Sequence, residues 1–295
     1  MQQAPILYYA LGGGLGHLTR AMAFADMQGW TDVHILTSHP MAAQVVPSHR
    51  LVQVPRESID PLIYAPWLQH WWAAQSYQDI YIDAFPSGIV GELSRLPGIQ
   101  DRRLWHLARR LQFGNYAPLI GEKPLHYHEV LQLEALEKPH AQWLRRHSDH
   151  IRPFTIDYPT PALPPDVQAA WEAIPGPRWL VVHAGSSEET ATLLRHTQRR
   201  AKQWARKTRV SPTILLSSTL QASLTASVQR FDHYPAAALF PLADYLVTAC
   251  GFNTMMQTLP YRDKHLFIPF YRRYDDQFAR AKAHRAQYRK LLRDH

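Results

Sequence analysis

The sequence YYALGGGLGHLTRAMAF, residues 8–24, places three consecutive glycines and a Gly-His pair between an apolar run and a helical pattern. The apolar run PILYYAL, residues 5–11, predicts a short strand that ends at the glycines. Residues 17–29 carry apolar side chains at helical spacing, which predicts a helix directly after the loop. The stretch therefore predicts a strand, a tight loop and a helix in succession.

The same alternation continues through the first half of the chain. Further strands are predicted at DVHILTS (32–38), LVQVP (51–55), DIYIDAFPSG (79–88) and PLHYHEVLQLEAL (124–136), the last of them running into a helix. Strands that alternate with helices indicate a parallel, doubly wound sheet. Residues 151–178 then carry seven prolines, which fix φ and lack a backbone donor, so we expect a connection between two domains there.

The second half repeats the pattern of strands and helices. Strands are expected within RWLVVHAGSSEE (178–189), TILLSST (213–219), ADYLVTACGFNTMMQTL (243–259) and HLFIPF (265–270). A helix is expected over 190–207, and a final amphipathic helix over 275–292 is indicated by four side chains at helical spacing: Phe278, Ala281, Tyr288 and Leu292.

These patterns predict an α/β fold with two doubly wound, Rossmann-like parallel-sheet domains that face a cleft. We expect residues 1–155 to form the first domain and residues 156–275 the second. The helix within 276–295 should pack back toward the first domain.

The net charge favours anionic partners but does not identify one. The 295 residues carry a formal net charge of +8, which favours anionic partners such as nucleotide phosphates, nucleic acid or an acidic membrane surface. The basic helix RHTQRRAKQWARKTR, residues 195–209, is better explained as a solvated face over the apolar contacts of Leu194, Ala201 and Trp204, so nucleic acid is not the expected partner.

Location and redox state follow from what the sequence lacks. Cys250 is the single cysteine, which excludes an internal disulfide. The first residues lack the pattern of a secretory signal, and no apolar run approaches the roughly 20 residues of a membrane span. We therefore expect a cytoplasmic protein, with a peripheral contact to the anionic inner membrane surface left open.

His17 follows the glycine loop at the edge of the sheet where ligands bind. In an open parallel sheet, ligands lie outside the carboxyl ends of the strands, beside the point where strand order reverses. The loop is not a dinucleotide fingerprint, because His17 occupies the place of the last glycine and the second strand ends in TSHP without an acidic residue. A histidine in the first helical turn has its pKa lowered by the helix dipole and could act as a neutral general base, or it could simply cap the loop.

Three stretches resemble one enzyme family. GGGLGHLTRA (12–21) resembles the first loop of GT-B glycosyltransferases, and residues 239–281 are similar to that family's donor-site segment. DAFPSGIVGEL (83–93) is similar to a segment of bacterial proteins close to the lipid-linked GlcNAc transferases. The resemblance implies GT-B architecture, with an acceptor-side first domain and a second domain that binds a nucleotide-sugar.

The resemblance also implies an activity. A sugar would move from a nucleotide diphosphate donor, foremost a UDP-sugar, to an acceptor hydroxyl with inversion, without a cofactor or an essential metal. The tripeptide HYH (126–128) and the pair Asp275-Asp276 lack the supporting ligands of a metal site. The acceptor stays open among a glycan, a lipid-linked compound and a small molecule.

On the acceptor side, the resemblance implies that His17 deprotonates the acceptor hydroxyl, with Asp83 as a second catalytic residue. Asp83 ends the fourth strand, which neighbours the first in the usual strand order, so its carboxylate could orient His17. It could equally satisfy the turn before Pro86. The glycines that would face the acceptor are Gly13, Gly14 and Gly16.

On the donor side, two loops are candidates for the diphosphate. Gly185, Ser186 and Ser187 could donate hydrogen bonds to it, although a plain turn with Ser187 as the helix N-cap explains the same residues. The other loop opens a helix toward anionic oxygens with four residues: Gly251, Phe252, Asn253 and Thr254. A structural turn is its alternative.

The family's sugar-binding positions are only partly matched. Asp276 and Gln277 match a pair that contacts sugar hydroxyls, with a solvated helix start as the alternative. Gln257 occupies the position of a glutamate that grips the ribose hydroxyls, so the charge-assisted hydrogen bond is lost. Two alternatives to a transferase therefore remain: a non-catalytic nucleotide-sugar sensor or partner subunit, and a nucleotide-sugar 2-epimerase.

Overall fold

The computed structural model of the chain describes residues 5–12, 14–55, 61–218 and 226–291. The chain divides into two compact units. The N-terminal unit comprises Met1–Asp157 together with Arg273–Asp276, and the C-terminal unit comprises Tyr158–Arg272 together with Gln277–His295.

The N-terminal unit is built on a parallel sheet with the strand order β3-β2-β1-β4-β5-β6-β7. Its strands are β1 (Ile6–Tyr9), β2 (Val33–Thr37), β3 (Leu51–Gln53), β4 (Asp79–Asp83), β5 (Arg103–Ala108), β6 (Tyr127–Gln132) and β7 (Ser148–Pro153). Its α-helices are α1 (Gly16–Met27), α2 (Ala42–Val45), α3 (Pro61–Ala73), α4 (Phe113–Tyr116) and α5 (Lys138–Arg146).

The central strands of this sheet are buried on both faces, as expected when helices cover both sides of a parallel sheet. Leu7 and Tyr9 of β1 pack with Leu68 and Trp72 of α3 in one core cluster. Tyr8, which points to the opposite face, contacts Phe24 of α1 at 6.1 Å between ring centroids. The alternation of side chains along β1 thus anchors a helix on each face of the sheet.

The C-terminal unit contains a second parallel sheet with the order β10-β9-β8-β11-β12. Its strands are β8 (Arg178–Val182), β9 (Thr213–Ser217), β10 (Val228–Arg230), β11 (Tyr245–Ala249) and β12 (His265–Ile268). Its α-helices are α6 (Pro165–Glu172), α7 (Ser187–Thr208), α8 (Phe252–Gln257) and α9 (Gln277–Leu291). Two apolar clusters lie on its faces, one around Trp179 and one around Trp171.

The fold class expected from the sequence, with two doubly wound parallel sheets flanked by helices, is confirmed. Three strands escaped prediction: β5, β7 and the three-residue β10. Strand β7 lies partly in the stretch taken as a connection, because it is an edge strand of polar residues that ends at a proline.

The last helix differs in detail from its sequence pattern. It begins at Gln277, and Phe278, expected on its apolar face, is 57% exposed. Ala281 is buried and packs in a cluster with Cys250 and Met255 of its own unit. The packing of this helix back toward the first domain stays a prediction.

Strand order reverses once in each sheet, between β1 and β4 in the N-terminal unit and between β8 and β11 in the C-terminal unit. Loops that follow these neighbouring strands therefore lie side by side at the ligand-binding edge. None of the helices within the described ranges combines the length and apolar composition needed to cross a bilayer.

Candidate active site

His17 and Asp83 meet at the reversal point of the N-terminal sheet. Asp83 is the last residue of β4, which pairs with β1 in register Leu7↔Ile80. His17 is the second residue of α1, directly after the glycine loop that follows β1. The imidazole Nδ1 lies 2.5 Å from the carboxylate Oδ2, and the two residues are only 6% and 1% exposed. The structure thus brings together the two residues expected to be catalytic.

Asp83 accepts further hydrogen bonds from two other side chains. Arg20, one turn after His17 on α1, donates from Nε to Oδ1 at 2.6 Å and from Nη2 to Oδ2 at 2.6 Å. The Tyr8 hydroxyl donates to Oδ1 at 3.2 Å. Both carboxylate oxygens are therefore engaged, and the guanidinium binds them as a fork.

The surroundings of this pair keep Asp83 ionised and His17 neutral. Burial alone would raise the pKa of Asp83, but Arg20 and then His17 hold that pKa well below its usual range. Burial lowers the pKa of His17, Asp83 opposes this effect, and the charges of Arg20 and Arg109 add to the lowering. With an ionised carboxylate as partner, Nδ1 carries the imidazole proton, so Nε2 offers its lone pair.

The imidazole of His17 is held by two neighbours. Phe85 stacks on it with 5.7 Å between ring centroids. Gly12 lies nearest its Nε2, where an added Cβ would collide with the imidazole. The turn that delivers Phe85 requires Ala84 to adopt a left-handed conformation with φ of 62°, which is costly for a residue with a Cβ. His17 therefore packs against both Gly12 and the turn after β4.

The loop after β4, residues 84–92, is fixed by buried polar side chains. The Glu92 carboxylate accepts from the backbone N–H groups of Ile89 at 3.1 Å and Val90 at 2.8 Å, and also from the Tyr9 hydroxyl. The Tyr116 hydroxyl accepts from the Ser87 N–H at 2.9 Å and donates to a loop carbonyl. This loop is a rigid support for Phe85.

A second ion pair borders the site. Arg109 follows β5 and binds Asp275 through Nη1 and Oδ1 at 2.6 Å. The segment that carries Asp275 also bridges to Leu111 in antiparallel fashion, and Tyr274 accepts from the Gln112 N–H at 2.8 Å. These contacts explain why Arg273–Asp276 belongs to the N-terminal unit.

In the C-terminal unit, the loops after β8 and β11 lie at neighbouring strand ends, as their register Thr248↔Val182 shows. In the first loop, the Ser186 side chain accepts from the Glu189 N–H at 3.3 Å and caps α7. Ser187, considered as the N-cap from the sequence, is instead the first residue of the helix, and both serines are exposed.

Gly185 lies against a hydrogen-bonded group of three side chains. Glu189 accepts from His183 Nε2 at 3.0 Å and from Arg272 Nη2 at 2.7 Å. An added Cβ at Gly185 would collide with both Glu189 and His183. The loop predicted to bind diphosphate therefore needs its glycine for packing inside the protein.

The second candidate loop is only partly accessible. Phe252 and Asn253 are buried, whereas Gly251 and Thr254 are partly exposed. The Asn253 Oδ1 accepts from the Tyr158 hydroxyl at 3.2 Å. Gln257, the last residue of α8, is partly exposed as well.

The remaining sequence-predicted residues lie in different environments. Gln277 is buried, and its Oε1 accepts from the Phe270 N–H at 3.0 Å; Asp276 is partly exposed. Gly14 is exposed, Gly16 opens α1, and Gly13 lies outside the described residues. Within the described ranges, no group of three or more His, Cys, Asp or Glu side chains could hold a metal ion.

Solved structures share this architecture over nearly the whole chain. The glycotransferase of kitacinnamycin superposes with a TM-score of 0.58 at 13% identity, over 97% of this chain and 85% of that chain. The fold is that of GT-B glycosyltransferases. Spinosyn rhamnosyltransferase SpnG, complexed with thymidine diphosphate, gives a TM-score of 0.55 at 13% identity, covering 90% of this chain and 81% of that chain.

The GT-B-like fold also extends to an enzyme of another class. UDP-GlcNAc 2-epimerase from Methanocaldococcus jannaschii superposes with a TM-score of 0.53 at 8% identity, over 94% of this chain and 91% of that chain. No family model and no curated protein sequence matches this chain. At these identities the comparisons show the fold alone.

Sequence reasoning missed several residues around the site. Arg20 could have been found, because residues three apart on a helix share a face and His17 precedes it by three. Phe85, Arg109 and Glu189 gave no local signal, since their roles depend on turns and long-range contacts.

Proposed function

We propose that this chain is a metal-independent, inverting glycosyltransferase that moves a sugar from a nucleotide diphosphate donor to an acceptor hydroxyl. The observation that carries the proposal is the buried His17–Asp83 pair at the carboxyl edge of the first sheet. A UDP-sugar is the first donor to test. A thymidine diphosphate sugar is the second, because SpnG is complexed with that nucleotide.

His17 supplies the general base in this proposal. Its Nδ1–H donates to Asp83, so Nε2 takes the proton as the acceptor O–H bond breaks. The acceptor oxygen then forms its bond to the anomeric carbon on the face opposite the leaving group. The bond from that carbon to the diphosphate oxygen breaks, and the diphosphate leaves with the electron pair.

The C-terminal unit supplies the donor site in this proposal. Loops 183–187 and 250–254 follow neighbouring strands at the reversal point, where GT-B-like sheets offer backbone to a ligand. The diphosphate would lie against Ser186 and Gly251, with Gln257 directed to the ribose. The loss of the family's glutamate at Gln257 predicts a weak grip on the ribose.

Calorimetric titration with UDP and thymidine diphosphate, and then with their sugars, tests the donor site. We expect saturable binding to one nucleotide, weakened at least about tenfold by Asn253→Asp, since a carboxylate beside the diphosphate repels it. Gln198→Glu adds the same charge in the middle of α7 and should leave binding unchanged. No binding at millimolar ligand by the unmodified protein would overturn the donor site.

Turnover separates the transferase from its alternatives. With an acceptor found, His17→Ala should abolish transfer while nucleotide binding persists. Binding without any transfer by the unmodified protein would favour the sensor. Formation of a 2-epimerised sugar and free UDP without an acceptor would favour the epimerase. We include this test because a UDP-GlcNAc 2-epimerase has a similar fold.

A further inference from the structure

We propose that Arg20 is a positioning residue of the His17–Asp83 pair, which fixes the shared carboxylate and offsets its charge so that the imidazole stays unprotonated. The catalytic meaning of this inference rests on the proposed function. Its structural content concerns three side chains of the N-terminal unit and does not depend on any substrate.

The geometry gives Arg20 control over the orientation of Asp83. Arg20 is 2% exposed, and its Nε and Nη2 each bind a different carboxylate oxygen at 2.6 Å. Oδ2 thereby receives both Arg20 Nη2 and His17 Nδ1. A two-point contact fixes the plane of the carboxylate, which a single hydrogen bond does not.

The positive charge of the Arg20 guanidinium also affects the protonation of His17. Asp83 on β4 is the anion that would stabilise an imidazolium, and Arg20 offsets part of its charge. Arg109 after β5 adds a second positive charge, itself paired with Asp275. Two further neighbours are uncharged: Tyr8 donates to Asp83, and Phe85 covers the imidazole.

His106 completes the set of titratable groups near Asp83. It lies on β5 in register with Ile82, and its Nδ1 is 3.0 Å from the Ile82 carbonyl oxygen. Burial lowers the pKa of His106 to about 4. Besides burial, which is the largest influence, the protonation of His17 depends on Asp83 and on the guanidinium groups of Arg20 and Arg109.

This arrangement differs from a histidine and aspartate alone. In an isolated pair, the carboxylate stabilises the imidazolium and raises the pKa of the base. Here burial disfavours the imidazolium, and Arg20 offsets part of the charge of the carboxylate that would stabilise it. His17 would consequently remain a neutral base at mildly acidic pH and would release its proton readily after each transfer.

The chain contains a matched control. Arg103 binds Asp79 with the same fork, from Nη2 to Oδ2 at 2.7 Å and from Nε to Oδ1 at 2.5 Å. Asp79 begins the strand that Asp83 ends, so the two ion pairs lie at opposite ends of β4. The Arg103 side chain is 57% exposed, which makes its removal tolerable.

Histidine side-chain NMR over a pH series tests the inference without turnover, and the His17 signal is assigned from its loss in His17→Gln. In Arg20→Gln, the pH midpoint of His17 should rise by about one unit or more, because Asp83 then stabilises the imidazolium fully. In Arg20→Lys it should rise less. Arg103→Gln should move it by less than about 0.2 units, because the charge is distant and solvated. A midpoint in Arg20→Gln equal to that of the parent overturns the inference.

If Arg20→Gln does not fold, the same titration of the unmodified protein tests the inference. Its His17 midpoint should lie below about 6.5, the ordinary value for histidine. The Arg20 Nε–H signal should shift with the same midpoint, since both groups bind one carboxylate. A higher midpoint, or an Arg20 signal that ignores the titration, overturns the inference. Because these readouts need no substrate, they can succeed even if the transferase proposal fails.

Discussion

The imidazole of His17 has little room to move. Phe85 stacks on one face, Asp83 fixes Nδ1, and the ring occupies the space where any larger residue at position 12 would place its Cβ. Gly12 is therefore required because it leaves space for the His17 imidazole, and not because its own backbone needs an unusual conformation. Its neighbour Gly14 has open space around it.

We expect Gly12→Ala to displace the imidazole and break its hydrogen bond to Asp83. The strain should lower the free energy of unfolding by about 1–3 kcal/mol, the usual cost of overpacking. Urea unfolding and the Nδ1–H proton signal of His17 measure the two effects. Gly14→Ala is the matched control and should change neither. An intact Nδ1–H signal in Gly12→Ala would contradict the steric argument.

Sequence reasoning reached His17 and Asp83 for a physical reason. In a doubly wound sheet the fourth strand lies beside the first, so the ends of the two strands are neighbours. It could not reach Phe85, because the left-handed turn at Ala84 has no signature when the residue is not a glycine. The roles of all these residues in catalysis stay predictions.

At the scale of elements, the stability of α7 depends on the residues of its first turn. Ser186 is the N-cap, and the acidic residues Glu188 and Glu189 lie where the positive end of the helix dipole favours them. Glu189 also holds Arg272 and His183 over Gly185. The first turn of this helix and the loop before it are therefore held together by the same side chains.

Ser186→Ala should lower the free energy of unfolding by about 1 kcal/mol, because the Glu189 N–H loses its acceptor. Ser187→Ala removes a neighbouring hydroxyl that does not cap the helix, and should change stability by less than about 0.5 kcal/mol. Chemical denaturation of the two variants compares them directly. Equal losses would contradict the assignment of the cap.

Two of the missed strands, β7 and β10, lack the pattern of a central strand. Strand β7 lies at the edge of the sheet with two half-buried and four exposed residues, so it lacks a buried apolar run. Strand β10 has only three residues. The central strands β1, β4, β8 and β11 were predictable because both of their faces are covered.

At the scale of the whole molecule, three buried histidines bear on acid stability. His106 and His140 lie in the N-terminal unit, and His265 lies in the C-terminal unit between Thr248 and Arg262. Burial lowers the pKa of His106 to about 4 and those of His140 and His265 to about 3. His140 stacks on Phe113 at 4.7 Å between ring centroids, and its ring nitrogens have no hydrogen-bond partner in the part of the chain that the structure describes.

Stability should therefore fall as the pH drops from about 6.5 toward about 4, because the unfolded chain binds protons that the folded chain rejects. The loss should level off only below the folded-state pKa values. His140→Phe keeps an aromatic ring against Phe113 and should reduce this pH dependence. Unfolding free energies measured at several pH values decide it, and an unchanged slope in His140→Phe would refute the role of that residue.

The two sheets could be predicted from the sequence, because strand and helix patterns alternate on both sides of the proline-rich stretch. The assignment of Arg273–Asp276 to the N-terminal unit could not, since it rests on contacts with Arg109, Leu111 and Gln112, far away in sequence. A segment of four residues is too short to show a sequence pattern that would predict such a contact.

That return of the chain sets a limit on dissecting the protein. A truncated gene that stops after Asp157 would encode every strand of the first sheet and yet omit the carboxylate of Asp275, which binds Arg109 beside the candidate base. Studies of the first half alone would then concern a site with an altered charge. Joining Arg273–Asp276 to the end of that half through a short linker would restore its native composition.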